Sequence, residues 1–362
     1  MKQKNAHNRY KIIKLLGIVC LLSFAIITQT GCGSKEPVSK TEYCLNTTCT
    51  ITLYDVEKKR GEKLLDDVFQ EIRKQENLLS KTVEGSDIYK INHAKGAPVE
   101  VSKDTWIVVE SGIGFGEFSD GAFDITVGKV MDLWDFTGDH PKVPDEKELQ
   151  EALKTVDYRQ IETEVTGDRQ KKYTIRLTNP EAQIDLGGIA KGCIADRAAA
   201  YLEDHGVKKA MVNLGGNVVA VGEKEQDTPW NIGIERPFSD HTELIGSVKV
   251  TDATVVTSGI YERKFEEKGK LYHHVLDPKT GYPSDSDLEA VTVTAPRGEG
   301  IASSMLCDSL STTFLILGRE KSEKLIRQFN EDGKHTFHVE AAFIGKDGKV
   351  VQTDGMNAEL NE

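Results

Sequence analysis

Asp185-Leu-Gly-Gly-Ile-Ala-Lys191-Gly192 runs into a helical pattern over residues 189–205, stopped by Gly206, and then into Ala210-Met-Val-Asn-Leu214, Gly215-Gly216 and Asn217-Val-Val-Ala-Val221. The last three pieces read as strand, tight turn and strand. A glycine-rich turn that opens a helix, followed at once by two strands on a two-glycine turn, breaks the strand–helix alternation of a doubly wound sheet. The expected class is therefore α+β, with mixed and antiparallel sheets and packed helices.

Outward from this stretch the same mixture continues. Apolar residues at Leu64, Leu65, Val68, Ile72, Leu78 and Leu79 give residues 58–79 one buried helical face. Residues 86–91, 104–118, 145–155 and 301–317 read as further helices. Alternating segments at 49–54, 173–177, 230–235, 247–250 and 289–294 read as strands, and 341–344 with 349–352 as a closing hairpin. The last residues, 356–362, read as a frayed acidic tail.

The other end has a different character. Lys2, Lys4, Arg9, Lys11 and Lys14 precede an apolar run over residues 15–28 that is short for a membrane span. Charged start, short apolar run and small residues read as an export signal over residues 1–31. Thr30-Gly31-Cys32 closes it as a lipoprotein-type cleavage site would, with Gln29 where Leu is usual, so Cys32 is the expected lipid-bearing residue. Residues 32–40, with Pro37, then read as a tether, and 41–355 as the folded domain. The expected location is extracytoplasmic, anchored to the membrane through lipid.

The formal charge is −12. Such a chain is a poor partner for nucleic acid or for broad anionic surfaces. An anionic ligand here needs positive charge placed locally. Of the six cysteines, none shows a zinc-pair spacing. Cys44 and Cys49 fit either a local disulfide or two buried side chains on a strand, and Cys193 and Cys307 fall in helical patterns.

Three short runs carry chemistry. Gly187, Gly188 and Gly192 bracket a helix start, where free backbone N–H groups attract anions, and Lys191 adds a full charge. Asp308 and Thr312 stand four apart on one helix face, with Ser311 beside them, a hard-oxygen pair suited to Mg²⁺. The same spacing also fits a helix start whose threonine bonds back to a carbonyl. His273-His274-Val-Leu-Asp277-Pro278 ends an apolar strand at a turn, where His274 can take a proton near neutral pH. Together the runs point to a pyrophosphate-containing ligand handled with a metal ion.

The Asp185–Gly192 run, then His-x-x-Asp-Pro-x-x-Gly-x-Pro from His274 to Pro283, then Asp308–Thr312, resembles the ApbE family, the FAD:protein FMN transferases, from near Leu45 to about Gly318. The resemblance implies Mg²⁺ held by Asp308, Thr312 and the Gly188 carbonyl, with Ser311 adjacent. It implies FAD contacts from Asp185, Lys191 and His274, and makes His274 the base that activates the acceptor. Gly121-Ala122-Phe123-Asp124-Ile-Thr126 matches a run lining the flavin pocket, which assigns Ala122, Phe123 and Asp124; Leu45 and Ser258 fall at further ligand-side positions. Thr82 stands where many members have Tyr, a departure that would admit water. The implied reaction moves FMN from FAD to a Thr or Ser hydroxyl of an extracytoplasmic partner protein and releases AMP. Hydrolysis of FAD to FMN and AMP, or FAD binding without chemistry, are the alternatives.

Overall fold

A computed structural model describes residues 35–138, 140–224, 228–239, 242–298, 302–333 and 337–361. The proposed signal, the lipidation residue Cys32 and the first residues of the tether lie outside them.

The unit Pro37–Glu362 is organised on one long antiparallel sheet. Its strands are β1 (Val38–Cys44), β2 (Thr47–Leu53), β6 (Ala210–Leu214), β7 (Asn217–Val221), β10 (Ala253–Gly259), β13 (Leu288–Pro296), β14 (Glu340–Gly345) and β15 (Val350–Gln352), neighbours in that order. Two smaller antiparallel sheets are β3 (Val99–Val101), β5 (Lys172–Leu177) and β4 (Ile161–Thr166), and β16 (Ala358–Leu360), β9 (Leu244–Val250) and β8 (Trp230–Glu235). β11 (Lys264–Glu267) and β12 (Lys270–His273) form a hairpin. The α+β expectation holds.

The long sheet is covered on both faces, so β10 and β13 are buried along most of their length, threonines included. Val212, Val219, Val256, Val291 and Val293 face helices; Ala220, Val255, Ala290, Ala342 and Ile344 face β8, β9 and β16. On the helical side lie α1 (Lys58–Leu79), α6 (Ala190–Asp204), α7 (Ser303–Leu317) and α8 (Arg319–Glu331). The shorter helices are α2 (Asp87–His93), α3 (Lys103–Phe118), α4 (Gly128–Trp134) and α5 (Glu146–Leu153).

α6 and α7 cap one another. Neither has a side-chain cap of its own. Asp196 on α6 instead accepts the N–H groups of Ser304 and Met305 at 3.0 and 2.9 Å, and Asp308 on α7 accepts that of Gly192 at 2.9 Å. The helices approach so closely that a Cβ on Gly192 would stand 2.2 Å from the Ser304 carbonyl oxygen. Burial pushes the Asp196 carboxyl up to about 6. Arg197, next to it, pairs with Asp104 rather than with Asp196.

Two boundaries are corrected. Val38–Lys40 belong to β1, so the folded unit begins inside the expected tether. The expected frayed tail instead carries β16, an edge strand on β9, with Lys249 and Glu359 paired across it at 2.6 Å. Both are polar edge strands, whose stability comes from ladder bonds that hydropathy does not register. Cys44 and Cys49 are free and buried, as the alternative to a disulfide supposed.

Candidate functional site

The glycine turn, α7 and the loop before α4 meet at one place. A Cβ on Gly188 would stand 3.1 Å from Phe123 Cε2 and 3.4 Å from Thr312 Oγ1. Residues distant in the chain thus touch through the missing side chain of Gly188. Asp185 ties the same corner: its N–H donates to the Ile125 carbonyl at 2.8 Å, and its Oδ1 accepts the Gly187 N–H at 2.8 Å.

Thr312 differs from its immediate neighbours on the helix. Ser309, Ser311 and Thr313 each bond back to a carbonyl of α7. Among the described residues the Thr312 hydroxyl has no hydrogen-bond partner, so the back-bonded alternative is not what the structure holds. One turn earlier, Asp308 is 1% exposed. Lys191 Nζ lies 3.5 Å from its Oδ1, and Asn217 Nδ2 donates to that oxygen at 3.4 Å. Asn217 keeps a buried Oδ1 with no partner beside this carboxylate. Among the described residues no group of three or more His, Cys, Asp or Glu side chains is placed to hold a metal. A divalent ion at Asp308 and Thr312 would therefore have one protein carboxylate and open positions. That donor set fits Mg²⁺, which takes oxygen ligands and shares its shell with substrate phosphates.

The Ser311 hydroxyl is already engaged within the fold, which leaves its backbone carbonyl as the group beside the metal pair. The residue is fully buried, its hydroxyl donates to the Asp308 carbonyl at 2.9 Å, and it lies 2.7 Å from the Ser258 hydroxyl. Ser258 is accordingly bonded to α7, and the pair clamps that helix to β10.

His274 follows β12. Its backbone N–H and its ring Nδ1 both approach the Arg263 carbonyl, at 3.1 and 3.3 Å. A carbonyl only accepts, so the proton sits on Nδ1 and Nε2 carries the lone pair. Burial, and then the neighbouring Arg263, His273 and Lys191, push the ring down to about 3. It is a neutral imidazole with a fixed tautomer. His273, on the opposite face, is buried with Nε2 3.2 Å from the Ser284 carbonyl. Asp277 does not touch His274: its Oδ1 accepts the Lys279 N–H at 2.8 Å and shapes the turn.

The remaining candidates divide. Ala122 and Phe123 are buried at the same corner, Phe123 edge-on to Phe115. The Asp124 carboxylate is bonded within the fold. Its Oδ1 takes the N–H and hydroxyl of Thr126 at 2.8 and 2.6 Å, and its Oδ2 the Tyr158 N–H at 3.0 Å. Burial raises this carboxyl, and those bonds oppose the rise. Leu45 sits with positive φ at the β1–β2 tip, its N–H donating to Glu76 Oε1 at 2.9 Å. Thr82 is exposed, 3.1 Å from the Ser80 hydroxyl.

Two contacts escaped sequence reasoning. Lys81 forms an ion pair with Asp185 at 2.9 Å, and Asn217 meets Asp308 across the hairpin turn. Only the Gly-Gly-Asn turn hinted at the second; nothing in spacing marked the first.

The ApbE family profile matches residues 45–337. The chain belongs to the ApbE family. It is 35% identical to the FAD:protein FMN transferase of Treponema pallidum over 341 residues, 90% of each chain. It is 37% identical to one from Klebsiella pneumoniae over 292 residues, covering 80% of this chain and 84% of that one. Among solved structures, the ApbE protein of Thermotoga maritima superposes with a TM-score of 0.75 at 30% identity, covering 88% of this chain and 97% of that one. The apo flavinyl transferase ApbE of Pseudomonas stutzeri gives 0.72 at 27%, covering 90% and 96%. This member of the ApbE family thus keeps the fold through almost its whole described length.

Proposed function

We propose that this chain moves FMN from FAD to a Thr or Ser hydroxyl of a partner protein and releases AMP. The observation that carries the reading is the meeting of Gly188, Thr312 and Phe123, which puts an unbonded hydroxyl, a glycine carbonyl segment and an aromatic ring around one point.

The residues divide the work. Asp308 and Thr312, with the Gly188 carbonyl, would hold Mg²⁺, which supplies charge for the pyrophosphate oxygens when bound. Lys191 meets the same phosphates from α6. Asp308 is kept in place by the Gly192 N–H, so its carboxylate is oriented before any ligand arrives. His274 Nε2 accepts the proton of the acceptor hydroxyl. The hydroxyl oxygen forms a bond to the FMN phosphorus, the bond from that phosphorus to the AMP oxygen breaks, and AMP leaves. A base at about 3 is weak, but the negative pyrophosphate opposes the fields of Arg263 and Lys191 and raises it in the complex. Catalysis of this kind rests on positioning and electrostatics.

One observation favours a second reading. Thr82 is short, exposed and turned to Ser80, so no large side chain projects from that loop position over the site. Water entering there would make FMN and AMP from FAD. Incubation with FAD and Mg²⁺, with and without a flavin-accepting protein, separates the two. A covalent FMN adduct on the acceptor, seen by mass spectrometry, with little AMP in its absence supports transfer; equal AMP release in both supports hydrolysis.

The export signal and Cys32 suit an enzyme tethered by lipid outside the cytoplasmic membrane, where its acceptor would also reside. Globomycin-type inhibition of signal processing, followed by the mobility of the chain, tests that placement.

A further inference from the structure

We propose that Lys81 is a positioning residue of the flavin site: it holds the Asp185 carboxylate, and through it the Gly187–Gly188 turn, in the arrangement that receives FAD. The inference rests on the reading of Asp185 as a contact to FAD and adds a residue that the motifs do not contain.

Lys81 lies just past α1, and its ammonium meets three oxygens. Nζ is 2.9 Å from Asp185 Oδ2, 2.6 Å from Asp132 Oδ1 on α4 and 3.3 Å from the Gly128 carbonyl. It donates to Asp132 and to the Gly128 carbonyl, and its third close oxygen is that of its ion-pair partner Asp185. Its partners differ in surroundings: the Asp132 side chain is 54% exposed and that of Asp185 15%. A surface pair such as Lys81–Asp132 contributes little by itself. The pair with Asp185 is different, because that carboxylate is enclosed and must stay charged to accept from a ligand. Burial works against the charge, and the Lys81 ammonium with the Gly187 N–H more than offsets it, so the carboxyl lies below its ordinary value.

The backbone around Asp185 is already pinned. Asn92 bonds both the N–H and the carbonyl of Ile184, at 2.7 and 2.9 Å, and the Asp185 N–H reaches the Ile125 carbonyl. What remains free is the rotation of the Asp185 side chain. Lys81 stops it, leaving Oδ1 on the Gly187 N–H. A small cavity of about 150 Å³ beside this contact, lined by Lys81, Thr82, Asn92, His93, Asp132 and Gln183, gives a ligand group or water room to approach.

The test is a double-mutant cycle with FAD as the probe, read by flavin fluorescence and by steady-state kinetics. Lys81→Met keeps the length and removes the donors. It should raise the FAD dissociation constant and KM by about tenfold, the low end of what losing an outer partner costs, with a smaller change in kcat. In an Asp185→Asn background the same change should add less than about twofold, because coupled residues are not additive. Lys81→Arg should recover most of the affinity. Wild-type affinity in Lys81→Met, or full additivity with Asp185→Asn, overturns the proposal while the reading of Asp185 survives. Unchanged affinity in Asp185→Asn alone overturns that reading and the proposal with it. If Lys81→Met does not fold, Lys81→Gln enters the same cycle and is judged by the same outcomes.

Discussion

Asp308 accepts the backbone N–H of Gly192 at 2.9 Å, so the carboxylate assigned to the metal also caps the helix that carries Lys191. Fold and site share one atom group here. A first-turn N–H of α6 that would otherwise lack a partner fixes the carboxylate, and the carboxylate fixes the glycine turn.

This double use predicts a difference between two substitutions. Asp308→Asn keeps an oxygen for Gly192 and loses the charge. It should stay folded, with a melting temperature close to wild type, yet lose transfer by at least roughly 10²-fold, the scale of a removed electrostatic group. Asp308→Ala should lose both. Magnesium titration by calorimetry together with thermal melts checks this; an Asn variant with normal turnover removes Asp308 from the metal site.

Two glycines should fail in different ways. Gly192→Ala places a methyl 2.2 Å from a backbone oxygen, which cannot yield, so a loss of stability of about 1–3 kcal/mol or more is expected. Gly188→Ala meets Phe123 at 3.1 Å and Thr312 at 3.4 Å, contacts that side-chain shifts can relieve. It should fold, and bind FAD and Mg²⁺ more weakly. Thermal melts and flavin titration of the two variants separate packing from ligand binding.

Replacing His274 with Ala should reduce transfer by at least roughly 10²-fold with FAD binding retained, as for a general base. In the wild type the acid limb of the rate should lie between about 3, the ligand-free position of the ring, and its ordinary value of 6.5. Protonation of Nε2 removes the base, so activity falls as pH drops through that window. A pH–rate profile that is flat down to about 3 would exclude the assignment.

His273 gives a stability test free of catalysis. Burial holds it neutral and pushes it down to about 4 from 6.5. Its contribution is fully present above 6.5 and is lost as pH falls toward 4. Asp196, raised to about 6 from 3.8, works in the opposite direction between those values and offsets part of the loss. His273→Gln should flatten the fall of melting temperature between pH 6.5 and 4. An unchanged slope would mean that His273 titrates alike in the folded and unfolded chain.

Much of the architecture was legible. The apolar spacing over residues 58–79 gave α1 to its ends, and 210–214 with 217–221 gave β6 and β7 around the two-glycine turn, because one buried face imposes a period on each. α8 went unseen, since only Ser322, Ile326 and Phe329 of its length are buried and its charged surface hides the period. α4, short and opened by glycine, was equally silent. β1 and β16 read as tether and tail for want of an apolar face.

For the site, the order of residues determined which groups exist: a glycine run with Lys191, a histidine at a strand end, a carboxylate and a hydroxyl four apart. Packing alone decided what each is free to do. Thr312 keeps an unbonded hydroxyl while Ser311 does not, Asp124 is consumed by Thr126 and Tyr158, and Lys81 is drawn onto Asp185 from a loop that no periodicity marks. Local sequence sets periodicity and chemical type, whereas a hydrogen bond depends on which distant groups the burial of the core brings within about 3 Å of each other.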